Sequence, residues 1–238
     1  MSRVTAVPPP LRAGSVHVWA LPDDVDRPDL LAADELESMR RLRGGADRRR
    51  FVARRAGLRQ VMAVYTGIEP EALVFERSCQ RCGHPAHGRP RLATTADLSF
   101  STSSRPGVAV VAVAVARMSV GVDVELIAGV DRRALHQIGL TPDERAAVSA
   151  AGPSADVQLW CRKEAVLKAQ GLGLGGPSPA SLDVRPPVVA GWYLTDLPGC
   201  AGWVGAVATA EPVAGLFLPR RFDVVSQGQL GAQRGHAR

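Results

Sequence analysis

Apolar and polar residues alternate through "SVHVWAL" at 15–21, the period of a β-strand that turns one face to a core. The period lengthens in "DLLAADELESMRRL" at 29–42, which reads as an amphipathic helix, and a longer helix is predicted over 47–66, ending before Gly67. Short strands are expected at 72–76 and 89–93. "GVAVVAVAVA" followed by "SVGVDVELI" predicts a hairpin turned at Arg117 and Met118.

From residue 119 the order begins again. "SVGVD" echoes "SVHVW", and "TPDE" follows with Thr141 as N-cap, Pro142 at the first helical position and Glu144 completing a capping box. A long helix then runs from near Ser154 to Gly171, with strands expected at 181–185, 191–196 and 202–208. The shared element order predicts an α/β (α+β) fold. It is a pseudo-dimer of two similar α/β halves, each a small sheet with a long packed helix. The halves span 15–116 and 117–219, between mobile tails at 1–14 and 220–238.

Composition narrows the setting. The 238 residues are 46% hydrophobic and 22% charged, enough to bury a core without metal or disulfide staples. No apolar run reaches the roughly 18 to 20 residues of a membrane span, and "MSRVTAVPPPLR" lacks the apolar centre of a signal peptide. Cys79, Cys82, Cys161 and Cys200 are too scattered for a disulfide framework, so a reducing, cytoplasmic setting with no membrane partner is expected. The net charge of +6 asks for an anionic partner. Nine arginines lie between residues 40 and 59, with Asp47 as the only acid there. They read either as a solvated helix face or as a phosphate site, and nine like charges favour the ligand.

In "VGVDVEL", Asp123 and Glu125 share one strand face while the valines take the other. Paired carboxylates suit a hard cation such as magnesium, or belong to an exposed edge strand with two solvated acids. Trp160, Glu164 and Lys168 follow at helical spacing in "WCRKEAVLKAQGLGL", with Lys163 beside Glu164. These are the only two lysines among 29 basic residues. A compact ammonium does what a planar guanidinium cannot copy.

"VGVDVE" followed by "WCRKEAVLKAQGLGL" resembles the paired signature of the 4'-phosphopantetheinyl transferase superfamily, of the two-half, surfactin-synthetase-activating type. "RRRFVARRAGLRQVMAVYTG", "HGRPRL" and "FSTSSRPGVAVVAVA" resemble its basic helix, its G-[KR]-P segment and its F-N-x-S-H-S-G-G strand entry. The resemblance implies transfer of the phosphopantetheine arm of coenzyme A to a serine of an apo acyl or peptidyl carrier protein, releasing 3',5'-ADP, with polyketide or nonribosomal peptide carriers as the expected class. It implies magnesium, or manganese, at Asp123, Glu125 and Glu164, with Glu164 as a metal ligand or as the base. Lys168 matches the lysine at the pyrophosphate, and Lys163 lies beside it among the cofactor contacts. Arg43, Arg48, Arg50, Arg55 and Arg89 match positions that hold the 3'-phosphate and adenine end, placing the coenzyme on the N-terminal half and the catalytic groups on the C-terminal half. Ser103 and Ser104 align with the family's S-H, so a hydroxyl replaces a phosphate-contacting histidine.

A monomer without a nucleic-acid partner is expected. Cys79, Cys82, His84 and His87 are zinc-ligand types, but their spacing is too tight for a finger or ribbon. The rival readings are an arginine-rich nucleic-acid-binding protein, poor in aromatic residues for stacking bases, and an inactive relative that binds coenzyme A only.

Overall fold

The computed structural model describes residues 8–21, 25–77, 88–93, 97–149, 151–152, 154–171, 176–200 and 202–218. Cys79, Cys82, His84 and His87 lie outside the described residues, as do 1–7 and 220–238 of the expected tails.

The chain forms β1 (Ser15–Leu21), α1 (Ala33–Arg41), α2 (Gly45–Thr66), β2 (Phe75–Arg77), β3 (Pro90–Leu92), β4 (Leu98–Arg105) and β5 (Val108–Val115). After the crossing come β6 (Val120–Leu126), a short α3 (Arg132–Ala134), α4 (Pro142–Val148), α5 (Ala155–Gln170), β7 (Val188–Val189), β8 (Trp192–Cys200), β9 (Trp203–Thr209) and β10 (Gly215–Phe217). Both long helices stop where the glycines predict. Gly67 and Gly171 sit at φ 67° and 72°, a left-handed conformation that glycine adopts without a Cβ clash. The capping box of α4 also forms as read, with Thr141 Oγ1 accepting from the Glu144 N–H and Glu144 accepting from the Thr141 N–H.

Two four-stranded sheets result, in the orders β10-β1-β5-β4 and β6-β9-β8-β7. The strands β1, β5 and β4 correspond in order to β6, β9 and β8, so the mixed α/β architecture repeats. Trp19, Val61, Met62 and Phe100 pack between α2 and the first sheet, and Val157, Val166, Val204 and Ala206 between α5 and the second. A third apolar layer lies between the sheets, where Val16, Val18, Val110 and Ala112 meet Val120, Val122 and Val124. The alternation of β5 is thereby used on both faces, which explains its unbroken run of valine and alanine.

Two expectations are corrected. β5 and β6 do not form a hairpin, because both edges of β5 are filled by β1 and β4, and β6 pairs with β9. Residues 181–185 are not a strand. A 3-10 turn occupies Pro179–Ser181, the Val184 N–H is taken by Glu144, and Pro186 and Pro187 supply no donor for a ladder. The last strand, β10, returns to the first sheet and lies parallel to β1.

Candidate active site

The site begins with a missing side chain. A Cβ on Gly121 would stand 2.0 Å from the Ala165 carbonyl oxygen and 2.5 Å from the Ala169 nitrogen, so α5 rests directly on the backbone of β6. The valines of β6 point into the layer between the sheets, and Gly121, Asp123 and Glu125 take the opposite face, under the helix. That approach brings Lys168 onto Asp123. Its Nζ donates to Asp123 Oδ1 at 2.7 Å and to the Val122 carbonyl at 3.1 Å. Asp123 is buried, and its other oxygen, Oδ2, has no partner among the described residues.

β4 supplies the remaining neighbours through a serine ladder of period two. The free edge of β6 faces it, and its N–H groups must be satisfied in a buried interface. Ser101 Oγ accepts from the Val122 N–H at 3.1 Å and Ser103 Oγ from the Val124 N–H at 3.3 Å. Ser103 then donates to Asp123 Oδ1 at 2.7 Å. Two positions further, Arg105 binds both oxygens of the buried Glu125, with Nε to Oε2 at 2.5 Å and Nη2 to Oε1. Glu164 makes no hydrogen bond among the described residues. Burial, and then the charge of Asp123, raise its proton affinity above that of an ordinary glutamate, with Lys168 partly offsetting.

Glu164 and Lys168 open onto a cleft of about 630 Å³ that is also lined by Trp160 and Leu167 of the same helix, by Arg77 and Arg89, and by residues 176–179. Arg77 and Thr102 also line an adjoining pocket of about 220 Å³ with Arg54, Arg55, Ser103 and Ser104. No carboxylate lines this second pocket among the described residues. Arg54 donates to Ser104 Oγ at 2.7 Å. Burial first, and then the charge of Arg55, make both Arg54 and Arg77 easier to deprotonate than a free arginine. Glu35, 3.8 Å from Arg55 and already paired with Arg59, is the nearby counter-charge, and one shared carboxylate against Arg54, Arg55 and Arg77 leaves a place for an anion. A groove of about 310 Å³, lined by Arg50, Arg54 and Arg105 among others, continues from it past Ser104.

Residues 119–203 match the family model of the 4'-phosphopantetheinyl transferase superfamily. The chain is also 29% identical, over an alignment 224 residues long that covers 84% of this chain, to the 4'-phosphopantetheinyl transferase HetI of Nostoc sp. (strain PCC 7120 / SAG 25.82 / UTEX 2576), of which the alignment covers 90%. Both comparisons support the 4'-phosphopantetheinyl transferase superfamily.

Set against the residues expected of such a transferase, the structure brings some together and sends others elsewhere. Asp123, Glu164, Lys168 and Ser103 converge as described. Arg55 and Ser104 line the acid-free pocket, Arg50 the neighbouring groove and Arg89 the main cleft. The Arg89 guanidinium is already committed, donating to Ser99 Oγ at 2.6 Å and to the Phe100 carbonyl at 3.0 Å. Arg48 is exposed and donates to the Leu42 carbonyl, Arg50 is paired with Asp47 at 2.6 Å, and Arg43 is exposed. Arg43 and Arg48 line none of these three cavities.

Lys163 is a correction. It points away from the cleft, is fully buried, and meets Glu144 at 2.6 Å. Its Nζ also donates to the carbonyls of Pro179 at 2.7 Å and Leu182 at 2.5 Å. Residues 163 and 164 are adjacent on a helix and diverge by about 100°. Sequence reasoning missed Arg54, Arg77 and Arg105. The first was visible as one arginine among nine, whereas Arg77 carried no signal, because only the pairing of β2 with β3 brings it to the cleft.

The expected three-carboxylate metal set is likewise reduced. Among the described residues no group of three or more His, Cys, Asp or Glu side chains is arranged to hold a metal ion, and Glu125 is held by Arg105. The residues still fit a magnesium ion that needs one or two carboxylates, for Asp123 Oδ2 is buried and unpaired, and Glu164 lines the cleft together with Lys168, the partner of the other Asp123 oxygen. No helix among the described residues is long and apolar enough to cross a membrane.

Proposed function

We propose that the protein transfers the 4'-phosphopantetheine group of coenzyme A to a serine of an apo acyl or peptidyl carrier protein, releasing 3',5'-ADP. The observation that carries this reading is the meeting of two features in adjoining cavities that share Arg77 and Thr102: an acid–lysine cluster on β6 and α5 whose Glu164 and Lys168 line the cleft, and beside it an arginine pocket with no carboxylate among its described lining residues. Coenzyme A needs both, since its pyrophosphate is the reacting group and its ribose bears a separate phosphate.

The carrier serine Oγ attacks the phosphorus that bears the pantetheine arm, the bridging P–O bond breaks, and 3',5'-ADP leaves. Glu164, its proton affinity raised by burial and by Asp123, accepts the serine proton. Lys168 lies against Asp123 with its ammonium partly open to the cleft, where it faces the leaving phosphate and supplies a proton or charge to it. Ser103 fixes Asp123 by donating to Oδ1, which leaves the buried Oδ2 as the carboxylate oxygen without a hydrogen bond, the one left for a cation. Magnesium bound there would neutralise charge on the pyrophosphate. Arg54, Arg55 and Arg77 hold the ribose phosphate, with Arg54 standing behind Ser104 where the family carries histidine.

The two-half architecture favours carriers of polyketide or nonribosomal peptide synthesis, a monomeric enzyme and a cytoplasmic setting. The protein, magnesium and coenzyme A are incubated with several apo carriers, and the carriers are weighed. A gain of one phosphopantetheine on a carrier is expected. No gain on any carrier overturns the reading.

A further inference from the structure

The buried Lys163–Glu144 pair serves no step of the transfer, yet it is built with unusual completeness. The three N–H groups of Lys163 have three oxygen partners: Glu144 Oε2, Pro179 O and Leu182 O. Glu144 caps α4 through the Thr141 N–H and binds the Val184 N–H at 2.9 Å with its other oxygen. Neither side chain is exposed to solvent.

The same device occurs in the other half. Arg59 is buried, pairs at 2.8 Å with Glu35, and donates to the carbonyls of Pro70 and Leu73. Glu35 accepts from the Ala32 N–H at the start of α1, as Glu144 does at the start of α4. In each half a buried cation on the long helix ties a capping glutamate to a proline-led 3-10 turn. What differs is where the tied segment leads. Residues 176–179 line the cleft together with Trp160 and Leu167, and this stretch of its wall carries no charge.

We propose that Lys163, with Glu144, is a positioning residue that holds the 176–182 wall where it grips the uncharged pantetheine arm of coenzyme A. The inference rests on the coenzyme A reading above. One residue along the helix, Glu164 faces the reacting centre, so a single turn of α5 sets both the carboxylate and the wall. The phosphates of the ligand are assigned to the lysine and the arginines and do not depend on this anchor.

The experiment compares two ligands, coenzyme A and 3',5'-ADP, which lacks the arm, by calorimetry on the wild type and Lys163→Met. In the variant, coenzyme A affinity is expected to fall about tenfold while 3',5'-ADP affinity is unchanged, and KM for coenzyme A should rise with kcat held within about threefold. Arg162 still ties Val184 and Asp196 to α5, which favours a folded variant. Should Lys163→Met not fold, Lys163→Met/Glu144→Leu replaces the pair by apolar groups and still removes the anchor. Equal losses for both ligands, or no loss for coenzyme A in a folded variant, overturn the inference while leaving the transferase reading intact. A wild type that binds neither ligand and modifies no carrier removes both.

Discussion

Laying β1 on β6 puts Ser15 on Ser119, and then His17, Trp19 and Leu21 fall on Gly121, Asp123 and Glu125. These three positions face the long helix in both halves. In the first half they are filled: Trp19 and Leu21 belong to the core beneath α2, and the rings of His17 and Trp19 share the Tyr65 hydroxyl, with Trp19 Nε1 donating at 2.7 Å. In the second half one position is emptied and two are charged. The glycine lets α5 come down onto the strand, and the two acids then meet the helix's own glutamate and lysine. One scaffold therefore spends the same strand face on packing in one copy and on chemistry in the other. The lesson is that burial of Asp123 and Glu125 is tolerated because each has a cation within hydrogen-bonding reach, Lys168 and Arg105.

The comparison breaks most severely at its emptied position. Gly121→Ala puts a methyl group into the backbone of α5, and we expect a loss of about 3 kcal/mol in urea unfolding together with loss of transfer. Trp19→Ala and Asp123→Asn then test equivalent sites with opposite outcomes. The tryptophan variant should lose about 3–5 kcal/mol of stability by the cavity it leaves. The asparagine variant should lose less stability but about a hundredfold or more in transfer rate, and manganese binding measured by electron paramagnetic resonance should weaken.

Glu164 has Gln60 as its counterpart when the two helices are aligned on Gly171 and Gly67. Glu164→Gln should slow transfer by about 10²–10⁴-fold. Because the glutamate must be ionised to take a proton, wild-type activity should fall as pH drops through its raised pKa, above the usual carboxylate range, and this limb should vanish from the pH–rate profile of the variant.

A smaller effect is expected in the arginine pocket. Arg54→Met should weaken 3',5'-ADP binding by about 10- to 100-fold in a calorimetric titration, the worth of one charged hydrogen-bonding group. The smallest concerns Asp156. Burial pushes its pKa up, but His136, the Val157 N–H and Arg132 together bring it below the ordinary aspartate value. It should therefore stabilise the fold at neutral pH, and that contribution is lost as pH falls from the unfolded value through the lowered folded one. Asp156→Asn should cost about 1–2 kcal/mol near pH 7 and progressively less at acidic pH, read from thermal melts.

His136 marks the limit of reading one helix at a time. From its own neighbours in sequence it has no partner, and in the fold its Nε2 lies 3.0 Å from Asp156. The alternation of β1 and β6, the helices ending at Gly67 and Gly171, and the capping box at Thr141 were all legible, because period, turn conformation and caps are set by residues close together in the chain. The shared face of Asp123 and Glu125 was legible for the same reason. The bonds of Ser101 and Ser103 to the backbone of β6 were not legible, because they join strands of different sheets.

The sequence by itself determined the repeated strand and helix order, the acid pair on one strand face and the acid–lysine helix that resembles the transferase signature. All of these are local periodicities and spacings. Only the tertiary structure decided that Lys163 anchors a wall and Lys168 meets the acid, that Glu125 is held by Arg105, and that the nine arginines divide among a buried ion pair, an anion pocket and the solvent. A charged side chain takes its role from which oxygen lies within about 3 Å of it. At sequence separations of 19 residues for Lys163 and Glu144, or 45 for Lys168 and Asp123, that is settled by how the helices dock on the sheets and not by the order of the chain.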